Sequence, residues 1–165
     1  MKTVTVLGST GSIGQSTVDL LSANRDKFRV LALTAQSNVT FLAQQARDLN
    51  AECAVIGDAA FYPQLKLALA GTGIRAEAGE GAIIEAASRG ADWTMAAIAG
   101  AAGLCATLAA VRCGKTVALA NKESLVCGGA YFMGEVKKHG TTLLPVDSEH
   151  NAVFQVFDSA NHANI

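Results

Sequence analysis

Residues 3–21 read TVTVLGSTGSIGQSTVDLL. A β-branched run ending at Leu7 meets a glycine-rich turn, and an amphipathic run begins at Ser12. Gly8, Gly11 and Gly14 fall three residues apart across that junction. In a strand–loop–helix frame each glycine has its own use. Gly8 allows the sharp turn at the strand's end, Gly11 lets backbone approach a pyrophosphate, and Gly14 lets the helix pack tightly on the strand. Free N–H groups and the dipole at the helix start favour the anion, and the hydroxyls of Ser9, Thr10 and Ser12 can add donors. The spacing is G-x-x-G-x-x-G rather than the commoner G-x-G-x-x-G. A ligand-free glycine turn is the competing reading, and the strand–loop–helix context favours the cradle.

Outward from this loop the chain alternates. Strands are expected at 2–7, 28–34, 52–56, 74–77, 92–98, 115–120 and 141–146, and helices near 12–23, 39–49, 59–70, 80–89, 101–113 and 122–138. Ser12, Asn38 and Asp58 precede helical periodicity, while Gly90, Gly114 and Gly140 close helices behind basic residues. The fold class that follows is α/β: a Rossmann-like doubly wound, mostly parallel sheet with helices on both faces. After Pro145 the alternation is expected to stop, with residues 1–146 forming a dinucleotide-binding domain and 147–165 beginning a second, truncated one.

Composition narrows the function classes. Half of the 165 residues are hydrophobic and 16% are charged, as in a folded globular chain. A net charge of −1 gives no electrostatic reason to expect nucleic acid or an anionic membrane as partner. The Ala/Gly-rich stretch MAAIAGAAGLCATLAAV reads as a buried strand followed by a helix rather than a membrane span. The start, MKTVTVLG, lacks the apolar core of a secretory signal. Cys53, Cys105, Cys113 and Cys127 have no metal-site or redox spacing and are expected to be buried or half-buried apolar residues. Gly114-Lys115-Thr116 mimics the end of a P-loop, but Ala109 stands where that motif needs glycine, so a helix stop is expected.

Two further groups would reach the strand ends on the same sheet edge as the glycine loop. The second strand runs into ALTAQSNV, with Thr34, Gln36, Ser37 and Asn38 where NAD sites carry an acidic residue for the ribose hydroxyl. Neutral donors there lean toward a 2′-phosphate, hence NADPH. The sixth strand runs into Asn121, Lys122 and Glu123, which are either a helix start or a polar site. The seventh runs into Asp147, Ser148, Glu149 and His150. In extended chain Asp147 and Glu149 point to one side. Such a carboxylate pair suits Mg²⁺ or Mn²⁺, the bland reading being a solvated acidic turn. His150 is expected to serve packing or hydrogen bonding, and His139 and His162 to lie at the surface.

GSTGSIG at 8–14, ALANKESLV at 118–126 and VDSEHNAVFQ at 146–155 together resemble the 1-deoxy-D-xylulose 5-phosphate reductoisomerases, and AAIAGAAGLCATLAAVRCGKT at 96–116 is similar to their central segment. The resemblance covers essentially the whole chain. It implies an NADPH- and divalent-metal-dependent (Mg²⁺ or Mn²⁺) enzyme that converts 1-deoxy-D-xylulose 5-phosphate to 2-C-methyl-D-erythritol 4-phosphate in non-mevalonate isoprenoid synthesis. It further implies a cytoplasmic homodimer for the full-length protein. By position it assigns Thr10, Gly11, Ser12 and Ile13 to the NADPH phosphates, and Gln36, Ser37 and Asn38 to the adenosine ribose and 2′-phosphate. Asn121 and Glu123 fall at the nicotinamide end, Lys122, Ser148 and Glu149 at the sugar phosphate substrate, and Asp147 and Glu149 at the metal. Lys122 and Glu149 are the residues expected to take part in the chemistry. The family usually has glycine at the position of Gln36. Its third metal carboxylate, substrate-phosphate pocket and lid lie beyond residue 165, so an N-terminal fragment without turnover is expected, with apolar surface bared near Val153, Phe154 and Phe157. Another NAD(P)-dependent aldehyde or semialdehyde reductase, and a non-catalytic dinucleotide-binding module, are the competing readings.

Overall fold

The computed structural model describes residues 1–156, apart from the side chains of Glu149 and Phe154. Seven strands alternate with seven helices: β1 (Lys2–Leu7), α1 (Ser12–Ser22), β2 (Phe28–Ala35), α2 (Val39–Asp48), β3 (Cys53–Ile56), α3 (Tyr62–Ala68), β4 (Arg75–Ala78), α4 (Glu80–Ala87), β5 (Trp93–Ala96), α5 (Leu104–Val111), β6 (Thr116–Leu119), α6 (Glu123–His139), β7 (Thr142–Pro145) and α7 (Ser148–Val156). Short 3₁₀ turns lead into α3 and α5. Every strand pair is parallel. The order across the sheet is β4-β3-β2-β1-β5-β6-β7. The chain thus builds outward from β1 in one direction and, from β5 on, in the other. The crevice between the C-terminal ends of β1 and β5 is the switch point where open α/β sheets bind ligands.

Alternation along each strand sends side chains to two layers. Val4 and Val6 join Val18, Leu21, Leu42, Ala46 and Leu65 from α1, α2 and α3. On the other face Leu7, Val55, Val117 and Leu119 pack against Ile83, Ala106, Ala110, Phe132 and Val136 from α4, α5 and α6. The β1–β2 register slips by one residue, from Val4 opposite Val30 to Thr5 opposite Ala32. This bulge reverses the parity of β2, so Val30 and Leu33 enter the same layer. It also turns Thr34 so that its Oγ1 accepts the Gly8 N–H at 2.9 Å.

Helix ends follow the sequence cues. Asn38 caps α2 through Oδ1, which accepts the Phe41 N–H at 3.2 Å, and Asp58 accepts the Ala60 N–H at 2.9 Å. For α1 the capping residue is Gly11, and Ser12 is already helical. Gly114 follows α5 with a left-handed φ of 67°, and Lys115 is exposed, as a helix stop requires.

Three expectations are corrected. The alternation does not end at Pro145, because α7 follows β7. Asp147 accepts the His150 N–H at 3.1 Å in the manner of an N-cap, which is why the chain turns helical there. Of the cysteines, Cys53 is buried and Cys113 half-buried, but Cys105 and Cys127 are exposed. His139 is half-buried beside Glu135 rather than at the open surface. Val153 is exposed, while Phe157 and His162 lie outside the described residues.

Candidate functional site

The glycine loop is braced from behind. The Gly8 N–H donates to Thr34 Oγ1 and the Ser9 N–H to the Thr34 carbonyl at 2.7 Å, which fixes the turn against β2. Gly8 has φ 81°, and a Cβ there would sit 2.7 Å from the Ala97 carbonyl oxygen. At Gly14 a Cβ would lie 2.1 Å from the Gly8 carbonyl oxygen. Gly11 differs: its φ of −76° suits any residue, and a Cβ there would meet only the Gly8 oxygen at 3.5 Å. Two glycines therefore serve the fold, and the middle one leaves an open approach. Beside it, Ser12 and Ile13 are exposed in the first turn of α1, whose N–H groups lack intrahelical acceptors.

Ser9 does not face this opening. It is fully buried, donating to Gln45 Oε1 at 2.7 Å while Gln45 Nε2 donates to the Ser9 carbonyl at 3.0 Å. The donor role expected of its hydroxyl is therefore withdrawn. Thr34, expected among the neutral donors for the ribose, instead braces the loop, and Gln45, which also holds it, was not singled out in the sequence. A glutamine on the apolar stripe of LAQQA was the available signal.

A cavity of about 630 Å³ opens at the switch point, within the range of small-molecule sites. Gly8, Thr10 and Gly11 form its middle. Gln36, Gly57, Glu80 and Ile83 line one part, while Ile98 and Cys105 belong to the β5–α5 part. Neither Glu80, Ile98 nor Cys105 was singled out in the sequence, since only the sheet order brings them to the loop. Gln36 is exposed at the end of β2, followed by the exposed Ser37 and Asn38. A smaller hollow of about 200 Å³, near Leu21, Arg25 and Phe28, lies at the opposite sheet edge, away from the strand ends.

Asn121 is buried and faces inward. Its Nδ2 donates to the carbonyls of Ile98 and of Gly100, the latter at 2.9 Å, and its Oδ1 accepts the Ser124 N–H at 3.0 Å. The residue thus caps α6 and pins the β5 loop that lines the cavity. Lys122 is exposed and Glu123 half-buried at the start of α6.

Asp147 and Ser148 stand at the end of β7, three strand spacings from β1 and so roughly 14 Å across the sheet. The premise of extended chain at Asp147–Glu149 is corrected, because the backbone is helical from Ser148 on. The Asp147 carboxylate contacts His150 Nδ1 at 2.5 Å, so His150 does hydrogen-bond as expected. Desolvation works to raise the pKa of Asp147, but the His150 ring and N–H outweigh it and hold the carboxyl below its ordinary value. Among the described residues no group of three or more His, Cys, Asp or Glu side chains could hold a metal. Asp147 is one oxygen donor of the right class, and a full site needs others. No helix among the described residues is long and apolar enough to cross a membrane.

Comparison with known proteins gives a consistent result. The family model described as 1-deoxy-D-xylulose 5-phosphate reductoisomerase matches residues 4–129. A protein of that name from Zymomonas mobilis is 62% identical over 160 residues, which is 97% of this chain and 41% of the relative. A solved structure of the Zymomonas mobilis enzyme in complex with NADPH superposes with a TM-score of 0.95 over 97% of this chain and 42% of that one, at 62% identity. Another, a reductoisomerase in complex with NADPH, fosmidomycin and magnesium, gives 0.91 at 40% identity over 99% of this chain and 41% of that one. The chain spans about two fifths of the length of these relatives.

Proposed function

The chain belongs to the 1-deoxy-D-xylulose 5-phosphate reductoisomerase family, and we propose that it is the NADPH-binding part of such an enzyme. The supporting observation is the open Gly11 approach between two closed glycines, set in the wall of a cavity of about 630 Å³ at the switch point. In this reading residues 1–146 are the cofactor domain, and the chain from 147 on begins the catalytic one.

Thr10, Gly11, Ser12 and Ile13 hold the diphosphate, Gly11 by the approach it leaves open, since its own N–H donates to the Gly8 carbonyl at 3.2 Å, while Gln36, Ser37 and Asn38 meet the adenosine ribose and 2′-phosphate with neutral donors. The nicotinamide end lies by Asn121 and Glu123. Because its amide is already engaged, Asn121 acts there by fixing the Ile98–Gly100 loop. Lys122 is placed to offset charge on substrate oxygens, with Ser148 and Glu149 contacting the same sugar phosphate. Asp147 and Glu149 supply carboxylates to Mg²⁺ or Mn²⁺. When bound, NADPH supplies the hydride and the metal supplies Lewis acidity toward 1-deoxy-D-xylulose 5-phosphate, the product being 2-C-methyl-D-erythritol 4-phosphate. The enzyme works as a cytoplasmic homodimer in the non-mevalonate isoprenoid pathway.

Calorimetry with NADPH tests cofactor binding by this chain. Asp147→Ala in the longer protein tests the rest, with metal-dependent turnover expected to fall and NADPH binding to persist. Metal-independent turnover would point instead to an ordinary aldehyde reductase.

A further inference from the structure

The β2 bulge that turns Thr34 toward the glycine loop is gripped from outside the cavity. The slip in register leaves Leu31 without a partner on β1, since Val4 lies opposite Val30 and Thr5 opposite Ala32. The Leu31 carbonyl accepts from Arg89 Nη1 at 3.5 Å, from 58 residues away in sequence. The second arm of the same guanidinium, Nη2, meets Glu77 Oε1 on the edge strand β4 at 2.9 Å. The two side chains are only 15% and 24% exposed, so the pair is largely shielded from solvent and salt. Arg89 lies just past the end of α4, whose earlier turns give Glu80, Ile83 and Ile84 to the cavity wall. One planar fork thus joins the end of α4, β4 and the bulge of β2.

Three residues past Leu31, Thr34 Oγ1 accepts the Gly8 N–H at 2.9 Å, and the Thr34 carbonyl accepts the Ser9 N–H at 2.7 Å. The bulge and the brace are linked by strand parity. Without the extra residue, Thr34 would turn its side chain to the other face of the sheet and release Gly8.

We propose that Arg89 is a positioning residue for the dinucleotide site: by gripping the β2 bulge against Glu77 it fixes Thr34, and through Thr34 the turn at Gly8 and Ser9 that leads into α1. The inference rests on the dinucleotide-binding reading above and adds to it a residue that does not line the cavity. Arginine suits this role because its two arms are held in one plane. A lysine can pair with Glu77 but has no second rigid arm for Leu31.

The test is calorimetric titration of NADPH into the protein and its Arg89→Lys and Thr34→Val variants, singly and combined, with thermal melts to confirm folding. Arg89→Met paired with Glu77→Gln, which leaves no buried charge unmatched, gives a second route to the same loss. Arg112→Met, which breaks the ion pair to Glu135 on α6 away from the cavity, controls for a purely structural loss. In Arg89→Lys the midpoint should stay within a few degrees while the NADPH dissociation constant rises on the order of threefold to tenfold. The Gly8 and Ser9 amide signals of the ligand-free protein should shift in the same variant. Thr34→Val should weaken binding as well, and adding Arg89→Lys to it should weaken binding no further. Arg112→Met should lower the midpoint and leave the dissociation constant unchanged. An unchanged dissociation constant in both Arg89 variants overturns the inference, as do full additivity with Thr34→Val or Gly8 and Ser9 signals that stay in place. If the unaltered protein binds no NADPH, the dinucleotide reading falls, while the shifts at Gly8 and Ser9 still decide whether Arg89 holds the turn.

Discussion

Gly14 sits so close beneath Gly8 that a Cβ added to it would lie 2.1 Å from the Gly8 carbonyl oxygen and 2.6 Å from the Ser9 Cα. The obstructing atoms are backbone of the turn itself, which cannot rotate aside as a side chain tip can. At Gly11, three residues earlier, a Cβ would meet only the Gly8 carbonyl oxygen, at an ordinary contact distance of 3.5 Å. One motif therefore contains a glycine required for packing and a glycine required for access.

Alanine at the two positions should separate those roles. Gly14→Ala should cost about 3 kcal/mol through overpacking, visible as a large drop in thermal midpoint. Gly11→Ala should keep the midpoint within a few degrees while NADPH affinity falls by about tenfold or more, because the added methyl obstructs the close approach of backbone and diphosphate. Calorimetry of both variants checks this, and equal affinity in Gly11→Ala and the parent would remove Gly11 from the site.

Asn121→Ala should destabilise the fold by about 2 kcal/mol, since it leaves the carbonyls of Ile98 and Gly100 and the Ser124 N–H without their side-chain partner. Denaturant unfolding measures the loss. Asn121→Asp should fail to rescue it, because a carboxylate cannot donate to the two carbonyls.

Cys105 lines the cavity and is exposed, whereas Cys127 is exposed on α6 away from the cavity wall. Both should alkylate readily in the folded protein. Cys53 should resist, since burial pushes its thiol up to about 11 and leaves little thiolate at neutral pH. Saturating NADPH should slow the labelling of Cys105 and leave Cys127 unaffected, as read by mass spectrometry of the digested protein.

Glu135 on α6 joins Arg112, which follows α5, at 2.7 Å, and this hydrogen bond holds the Glu135 carboxyl below its ordinary pKa. A lowered folded pKa means the contribution is full above the unfolded carboxylate value of about 4.3 and is lost as pH falls through the folded value. Thermal midpoints of Glu135→Gln should therefore fall less steeply than the parent's as pH drops below that range. Parallel acid limbs would show that this pair does not govern the acid response.

The glycine loop was legible because its order, strand then turn then helix, is local in sequence. All seven strands could be placed for the same reason, each apolar run being bounded by glycine or polar residues. Features set by contacts distant in sequence were not legible. The bulge that aims Thr34 at Gly8 depends on β1–β2 register, and nothing in FRVLALTA announces it. The inward turn of Asn121 depends on the loop after β5 reaching it. The burial of Ser9 depends on Gln45, 36 residues away. Helix α7 does carry a readable signal, an aspartate cap with Glu149 in the first turn, but Pro145 and the fading apolar alternation mask it in the sequence.

The central claim is that the first turn of α1 and the β1–β5 crevice receive the dinucleotide diphosphate. Amide chemical shifts followed during NADPH titration test it most directly. The account predicts the largest changes at Thr10, Gly11, Ser12 and Ile13, with further changes at Ile98 and Ala99. Changes gathered instead around Leu21, Arg25 and Phe28 at the opposite sheet edge, with the glycine loop silent, would contradict it.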